Sequence, residues 1–386
     1  MKSYQDYKKI IEGISSPSLF LDLEAFRNNI QWIKKHSPHK KIRIASKSIR
    51  SKEILRRVLS SDSIFEGLMT FDLREALWLR DEGFKNILMG YPTMDIQTLN
   101  EYAKKTDEIT LMVDLAQHLF LLQNLAEKHD SIINICIDID LSLELPTLRF
   151  GVYRSSINSI KKLKVFLNEL KKCPRLNLVG LMGYEAQIAG VMDKNSFGIK
   201  ILKQISHKKL TSFRRESVEI IKNEGYNLQF INGGGTGSLF ETVKEDCVTE
   251  ITVGSGLYAP VLFDYYQNLK LSPALFFSLP IVRKPLENIY TCFGGGYIAS
   301  GAIQKIKGPT PYLPVGMKLL PFEGGGEVQT PIQYDGSETL TVGDSVFFRH
   351  AKAGEICERF DKINLIENGI ISGEVKTYRG EGKTFV

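Results

Sequence analysis

Apolar residues in the first two-thirds of the chain follow two alternating rhythms. Short β-type runs recur at KKIRIAS (40–46), IFEGLM (64–69), NILMG (86–90), EITLMVD (108–114), IINICIDID (132–140), LNLVGLMG (176–183), NLQFING (227–233) and EITVGSG (250–256). Most of the intervals between them carry apolar residues at steps of three and four, as in KEILRRVLS, REALWLRDEG, AQHLFLLQNLAEKH and SINSIKKLKVFLNELKKC. That step is the period of a helix with one buried face. Runs that are apolar throughout suit strands covered on both sides, as helical crossovers cover a parallel sheet. Eight such repeats predict an α/β fold, a closed (β/α)8 barrel of the TIM type, with an open doubly wound sheet as the alternative.

After about Tyr258 the helical period largely stops. Short β-like pieces take over: LFFSLPIVRK, NIYTCFGG, MKLLPF, DSVFFRHA and KINLIENGIISGEV, separated by the turn clusters FGGGY, PFEGGGE, YDGSE and ENG. Turn residues at this density predict a second, smaller, mostly antiparallel β domain over 259–386, with the barrel over 25–258.

Composition narrows the function classes. At 43% hydrophobic and 24% charged residues the 386-residue chain is neither disordered, collagen-like nor a coiled coil. The formal charge of +6 is mild, and its basic residues are spread out without interleaved aromatics. A small anionic ligand suits that balance, and no nucleic-acid partner is expected. Five cysteines at long spacings, with no C-x-x-C, argue against a disulfide framework or a structural zinc cluster and favour a reducing, cytoplasmic compartment. The N-terminal MKSYQDYKKIIEG lacks the apolar core of a secretory signal, and no apolar run is long enough to span a membrane.

In a barrel the chemistry sits where the strands end. The first strand end delivers Lys47, and later ones Thr70, Tyr91 and Asp114. A loop carrying Arg149 follows the fifth strand, and Tyr184 and Gln187 follow the sixth. The seventh runs into Gly233, Gly234, Gly235, Thr236 and Gly237, and the eighth into Gly254, Ser255 and Gly256. Glycine lets a backbone approach an anion, and Thr236 and Ser255 add hydroxyl donors, so the two clusters read as a phosphate cradle; tight turns are the plain alternative. The nucleotide motif G-x-x-x-x-G-K-[ST] is absent. A lysine at an interior strand end, shielded from water, can act as a Schiff-base nucleophile. Phosphate on one wall and an imine-forming lysine on another describe pyridoxal 5'-phosphate. A barrel lyase that forms its Schiff base with a sugar phosphate would use the same two features.

With these motifs in place the chain resembles the pyridoxal-phosphate enzymes of the alanine-racemase-type barrel fold, in the D-threonine aldolase and D-serine dehydratase branch. The resemblance runs over nearly the whole chain, through SPSLFLDLEAFRNNI, ASKSIR, LRFGV, GYEAQ, NGGGTGS, VGSGLY and VGDSVFFRHAKAGEICERF. It implies that Lys47 forms the Schiff base and that Arg149 and Tyr184 flank the cofactor. Gly234, Gly235, Thr236, Gly254, Ser255, Gly256 and Tyr258 would complete its site. It adds residues 1–24 to the β domain and has that domain contribute to the active site. It also implies a homodimer and a small amino-acid substrate. His350 falls where the family's histidine binds a metal, and Lys352 falls where a second ligand would stand, so zinc or manganese is left open. Lys352 and His350 are then candidate catalytic groups, and Gln187 a candidate substrate contact. The implied reaction is aldol cleavage or dehydration and deamination of a D-β-hydroxy amino acid. An amino-acid racemase, with Tyr297, Tyr312 or Tyr378 as candidate second base, and a non-catalytic pyridoxal-phosphate carrier are the alternatives.

Overall fold

The structure, a computed structural model, describes residues 2–194, 196–302 and 304–385. The chain divides into two compact units. One comprises Lys34–Lys47 and Leu55–Gly254; the other comprises the N-terminal segment through Ile33, Ser48–Ile54 and Ser255–Thr384.

The first unit is a closed barrel. Its strands are β2 (Lys41–Ala45), β3 (Phe65–Thr70), β4 (Ile87–Met89), β5 (Ile109–Val113), β6 (Ile133–Asp138), β9 (Leu176–Gly183), β10 (Phe230–Gly233) and β11 (Glu250–Val253). All eight pair parallel in that order, and β11 closes on β2 through Glu250 to Lys41 and Val253 to Ile44. Each of the eight apolar runs supplies one strand. Outside this order, β7 (Leu143–Leu145) and β8 (Leu148–Phe150) form a short antiparallel hairpin between β6 and β9. The sequence pattern did not separate this hairpin from a loop, because three residues per strand are too few to show a period.

Leu88, Met112, Cys136, Val179, Met182 and Phe230 pack into one apolar cluster, with Met69 and Tyr184 against it. Gly180 leaves the space that the Phe230 ring occupies; a Cβ there would lie 2.2 Å from Phe230 Cζ. Arg43 is almost fully buried and spends its guanidinium on Glu250 (2.6 and 2.9 Å) and on the Asn86 carbonyl (2.6 Å). A buried charge persists only when paired and hydrogen-bonded in this way.

The second unit is a nine-stranded, mostly antiparallel sheet. It contains β1 (Ser18–Asp22), β12 (Leu275–Leu286), β13 (Ile289–Phe293), β14 (Thr310–Leu313), β15 (Met317–Leu319), β16 (Gln329–Tyr334), β17 (Ser345–Arg349), β18 (Lys362–Glu367) and β19 (Ile370–Lys376). The N-terminal strand β1 lies inside the sheet, antiparallel to β12 and parallel to β18. Leu19, Phe20 and Leu21 are fully buried, so both faces of this strand are covered. Phe276, Phe277, Phe347 and Phe348 from β12 and β17 form an aromatic core with no solvent exposure.

Candidate active site

Because all barrel strands run parallel, the residues following their C-terminal ends share one rim. Strand β2 gives way at Ser46 to a single 3-10 turn that carries Lys47. The Lys47 side chain is exposed, not desolvated, and its Nζ donates to Tyr91 Oη at 2.8 Å, 5.2 Å from the centre of that ring. Tyr91 follows β4. The guanidinium of Arg154 stands 5.9 Å from the Tyr91 ring and 5.4 Å from the ring of Tyr184, which follows β9. Tyr184 in turn borders Gly235: a Cβ on that glycine would lie 3.4 Å from Tyr184 Cε2 and 3.2 Å from Ala189 Cβ. Contacts therefore run without a break from the lysine to the glycine loop. Burial pushes the Tyr184 phenol up to about 12, which keeps it neutral.

Carboxylates gather on the same rim. Asp138 ends β6, and Asp114 follows β5. Burial, reinforced by the charge of Asp114, raises the Asp138 carboxyl to about 8 even with Arg154 opposing. Asp114 accepts from the Ser156 backbone at 2.9 Å and lies 3.2 Å from His118 Nδ1. Arg149 sits on β8, bonded to Asp140 Oδ2 at 2.5 Å and to Glu144, with Tyr153 4.3 Å from its guanidinium carbon. It neutralises Asp140 and Glu144, whereas Arg154 is the arginine beside Tyr91 and Tyr184.

The glycine loop is built from within. Gly234 has φ +84°, and a Cβ there would lie 2.7 Å from Ile251 Cγ2, so glycine is required twice over. Its N–H donates to Glu185 Oε2 at 3.1 Å, and the Gly235 N–H donates to Ser238 Oγ at 3.1 Å. These two N–H groups are thus committed inside the protein, not bare as the sequence suggested. Glu185, 1% exposed, also accepts from Ser238 (3.0 Å), Thr242 and Arg214 (2.9 Å). Arg214, fully buried on the helix Phe197–Asn223, reaches Glu245 as well. Thr236 is buried in the 3-10 turn after the loop. Gln187 is buried too, and its Nε2 donates to the Leu141 carbonyl and Ser206 Oγ, both at 2.7 Å. That amide nitrogen ties the β6 loop to the long helix.

In the other unit, Ser255 and Gly256 belong to the single turn Ser255–Tyr258, directly after Gly254. Ser255 Oγ lies 3.1 Å from Ser48 Oγ. Tyr258 is fully buried and donates to the Ile49 carbonyl at 3.0 Å. The same carbonyl takes a weak bond from Cys357 Sγ (3.6 Å), a thiol that burial pushes up to about 12. Tyr258 and Cys357 therefore secure the segment just beyond Lys47. His350, at the end of β17, is 3% exposed. Burial and the adjacent Arg349 lower it to about 3, so the ring is neutral. Backbone at Leu275 lies close enough to favour protonation slightly, yet neither ring nitrogen reaches hydrogen-bond geometry with a protein group. Lys352 Nζ bonds the carbonyl and the hydroxyl of Ser300, both at 3.1 Å. Tyr297 lines the cleft that holds His350 and Lys352, while Tyr378 is buried.

Sequence reasoning passed over Arg154, Glu185 and Asp138. Arg154 follows LRFGV by a few residues, and Glu185 stands inside GYEAQ. An arginine or acid within or just after a motif segment is the available signal, but only the fold shows what each one contacts.

A (β/α)8 barrel with a lysine at its first strand end and a glycine loop after its seventh, joined to a separate antiparallel sheet, defines a class of protein. The chain belongs to the alanine racemase N-terminal domain family, which matches residues 21–260; this fold family is pyridoxal-phosphate-dependent. Within it, the chain is 23% identical over 256 residues to 3-hydroxy-D-aspartate aldolase from Paracoccus denitrificans (strain Pd 1222). That match spans 65% of this chain and 62% of the relative. By fold it is similar to the D-threonine aldolase of Filomicrobium marinum, with TM-score 0.79, 17% identity and coverage of 95% and 96% of the two chains. It is also similar to D-threo-3-hydroxyaspartate dehydratase from Delftia sp. HT23, with TM-score 0.77, 14% identity and coverage of 95% and 98%. No helix of the described residues is long and apolar enough to cross a membrane.

Proposed function

We propose that this protein is a pyridoxal-phosphate-dependent enzyme acting on amino acids, cleaving or dehydrating a D-β-hydroxy amino acid. The observation that carries this reading is the unbroken contact path from Lys47 through Tyr91, Arg154 and Tyr184 to Gly235 on one barrel rim. The residues fit the cofactor at two points. Lys47 presents an exposed amine, and at Gly235 even a methyl group would press on Tyr184 and Ala189. Lys47 would hold the cofactor by its amine, and Tyr184, Gly235 and Thr236 would bound it. When bound, pyridoxal phosphate supplies an electron sink beside the substrate Cα.

The chain's own groups do the rest. Lys47 is the base that the rim offers for a proton at Cα or on the β-hydroxyl. Tyr91 fixes the direction of its amine. Arg154 presents positive charge to a substrate carboxylate, the pairing in which a planar guanidinium is strongest. Asp138, raised to about 8, holds a proton near neutral pH that it can lend to a leaving group.

The test is spectroscopic and then chemical. Purified protein should show a visible absorbance band that Lys47→Ala abolishes. It should then form aldehyde or keto acid from D-threonine, D-serine or 3-hydroxy-D-aspartate in preference to their L forms. A colourless protein after incubation with pyridoxal phosphate would rule out the cofactor. Interconversion of D- and L-alanine without cleavage would make it a racemase.

A further inference from the structure

One cleft lies in the sheet unit, lined among others by Tyr297, His350, Lys352, Glu355 and Arg359. A divalent metal does not fit its donor set. Among the described residues no three His, Cys, Asp or Glu side chains are grouped to hold a metal ion. Both oxygens of Glu355 are occupied by Ser300, through its N–H at 2.6 Å and its hydroxyl at 2.5 Å. Cys357 is turned to the Ile49 carbonyl as a buried thiol.

Positive charge dominates instead. Lys352 is anchored by Ser300 and lies 3.6 Å from Glu355 Oε1. Lys307 is near enough to feel it: burial, and then the Lys352 ammonium, lowers the Lys307 amine below its ordinary value. Arg359 also lines the cleft, so among the described lining residues two cations, Lys352 and Arg359, face one acid, Glu355. Such a field repels a divalent cation and attracts an anion. Into this cleft projects His350, a 97%-buried side chain whose two ring nitrogens have no hydrogen-bond partner. A buried polar group in that state marks the place of a missing partner.

We propose that the cleft is a carboxylate subsite, in which a His350 ring N–H and the Lys352 ammonium receive the anion and no divalent metal is bound. The cation that a metal would bring is here covalently part of the chain. This anion binding is independent of the reading under Proposed function.

The probe is malonate, compared with chloride at equal ionic strength, on the protein carrying its cofactor. Malonate should raise Tm by about 2 °C or more at saturation, since a ligand of the folded state stabilises it. Lys352→Met should abolish that rise, and Lys352→Arg should keep it. An equal rise in Lys352→Met would overturn the proposal. So would one tightly bound Zn2+ per chain in calorimetric titration of the wild type, lost in His350→Ala. The visible absorbance at Lys47, read in the same samples, stands or falls separately and keeps the two readings distinct.

Discussion

Lys47 Nζ donates to Tyr91 Oη at 2.8 Å and also lies 5.2 Å from the centre of the same ring. One aromatic residue thus holds the amine by its hydroxyl and its face together. Tyr91→Phe separates the two effects, because the face remains. A hydrogen bond to a charged group contributes about 1.5–3 kcal/mol, so kcat should fall roughly ten- to hundredfold. Tm should stay close to wild type, since Tyr91 is only half-buried. Unchanged kcat in steady-state assays would show that the amine needs no such guide.

Arg154 is exposed, with its guanidinium 5.9 Å from the centre of the Tyr91 ring and 5.4 Å from that of Tyr184. Arg154→Lys keeps the charge and loses the planar fork that pairs with a carboxylate. KM for the amino acid should rise about tenfold or more, with a smaller effect on kcat. Arg149→Lys is the control: Arg149 pairs with Asp140 and Glu144, so its loss should show in Tm and not in KM.

Asp138 gives the barrel a pH signature. Its carboxyl is raised by burial, and next by Asp114, from 3.8 to about 8 in the folded chain. The folded state therefore holds a proton that the unfolded state has released. This contribution is complete below about pH 4 and is lost as pH rises through about 8. Asp138→Asn should accordingly gain stability relative to wild type as pH rises from 5 to 9, read as a widening difference in Tm. A constant difference across that range would place the ionisation elsewhere.

Arg214 stands between Glu185 and Glu245 with no solvent exposure. Removing one partner of such a group leaves uncompensated buried charge, at about 3–5 kcal/mol. Arg214→Met should lower Tm clearly. Because Glu185 also receives the Gly234 N–H and the Ser238 hydroxyl, cofactor affinity should weaken as well, measurable by absorbance titration. Glu185→Gln, which keeps the shape and one acceptor, should lose affinity with a milder change in Tm.

The barrel was legible because each parallel strand is buried on both faces and so writes an apolar run such as IINICIDID into the chain. Strand β1 was legible as an apolar segment but not as to its neighbours, since pairing with Ile363 depends on residues at the other end of the chain. Strands β14 and β16 went unseen: TPYL and QTPIQY carry prolines and polar residues, which lower strand propensity, although β14 pairs with β17 and β16 pairs with both β13 and β15. At the site, Lys47 followed from its place after an apolar run. Two other readings needed coordinates. The glycine N–H groups that looked open to a ligand are filled by Glu185 and Ser238, and which arginine stands beside Tyr91 and Tyr184 depends on a hairpin too short to leave a period.

Strand β1 also sets an order of events. It sits between β12 and β18, so synthesis delivers β1 before either of the two strands that flank it. Until Lys362–Glu367 emerges, Leu19, Phe20 and Leu21 belong to a strand with one open edge. An open apolar edge recruits other strands. The barrel strands, all contributed by the stretch from Lys41 to Val253, can close while β1 waits. Truncation near the C-terminus should then leave a chain that aggregates through its own beginning.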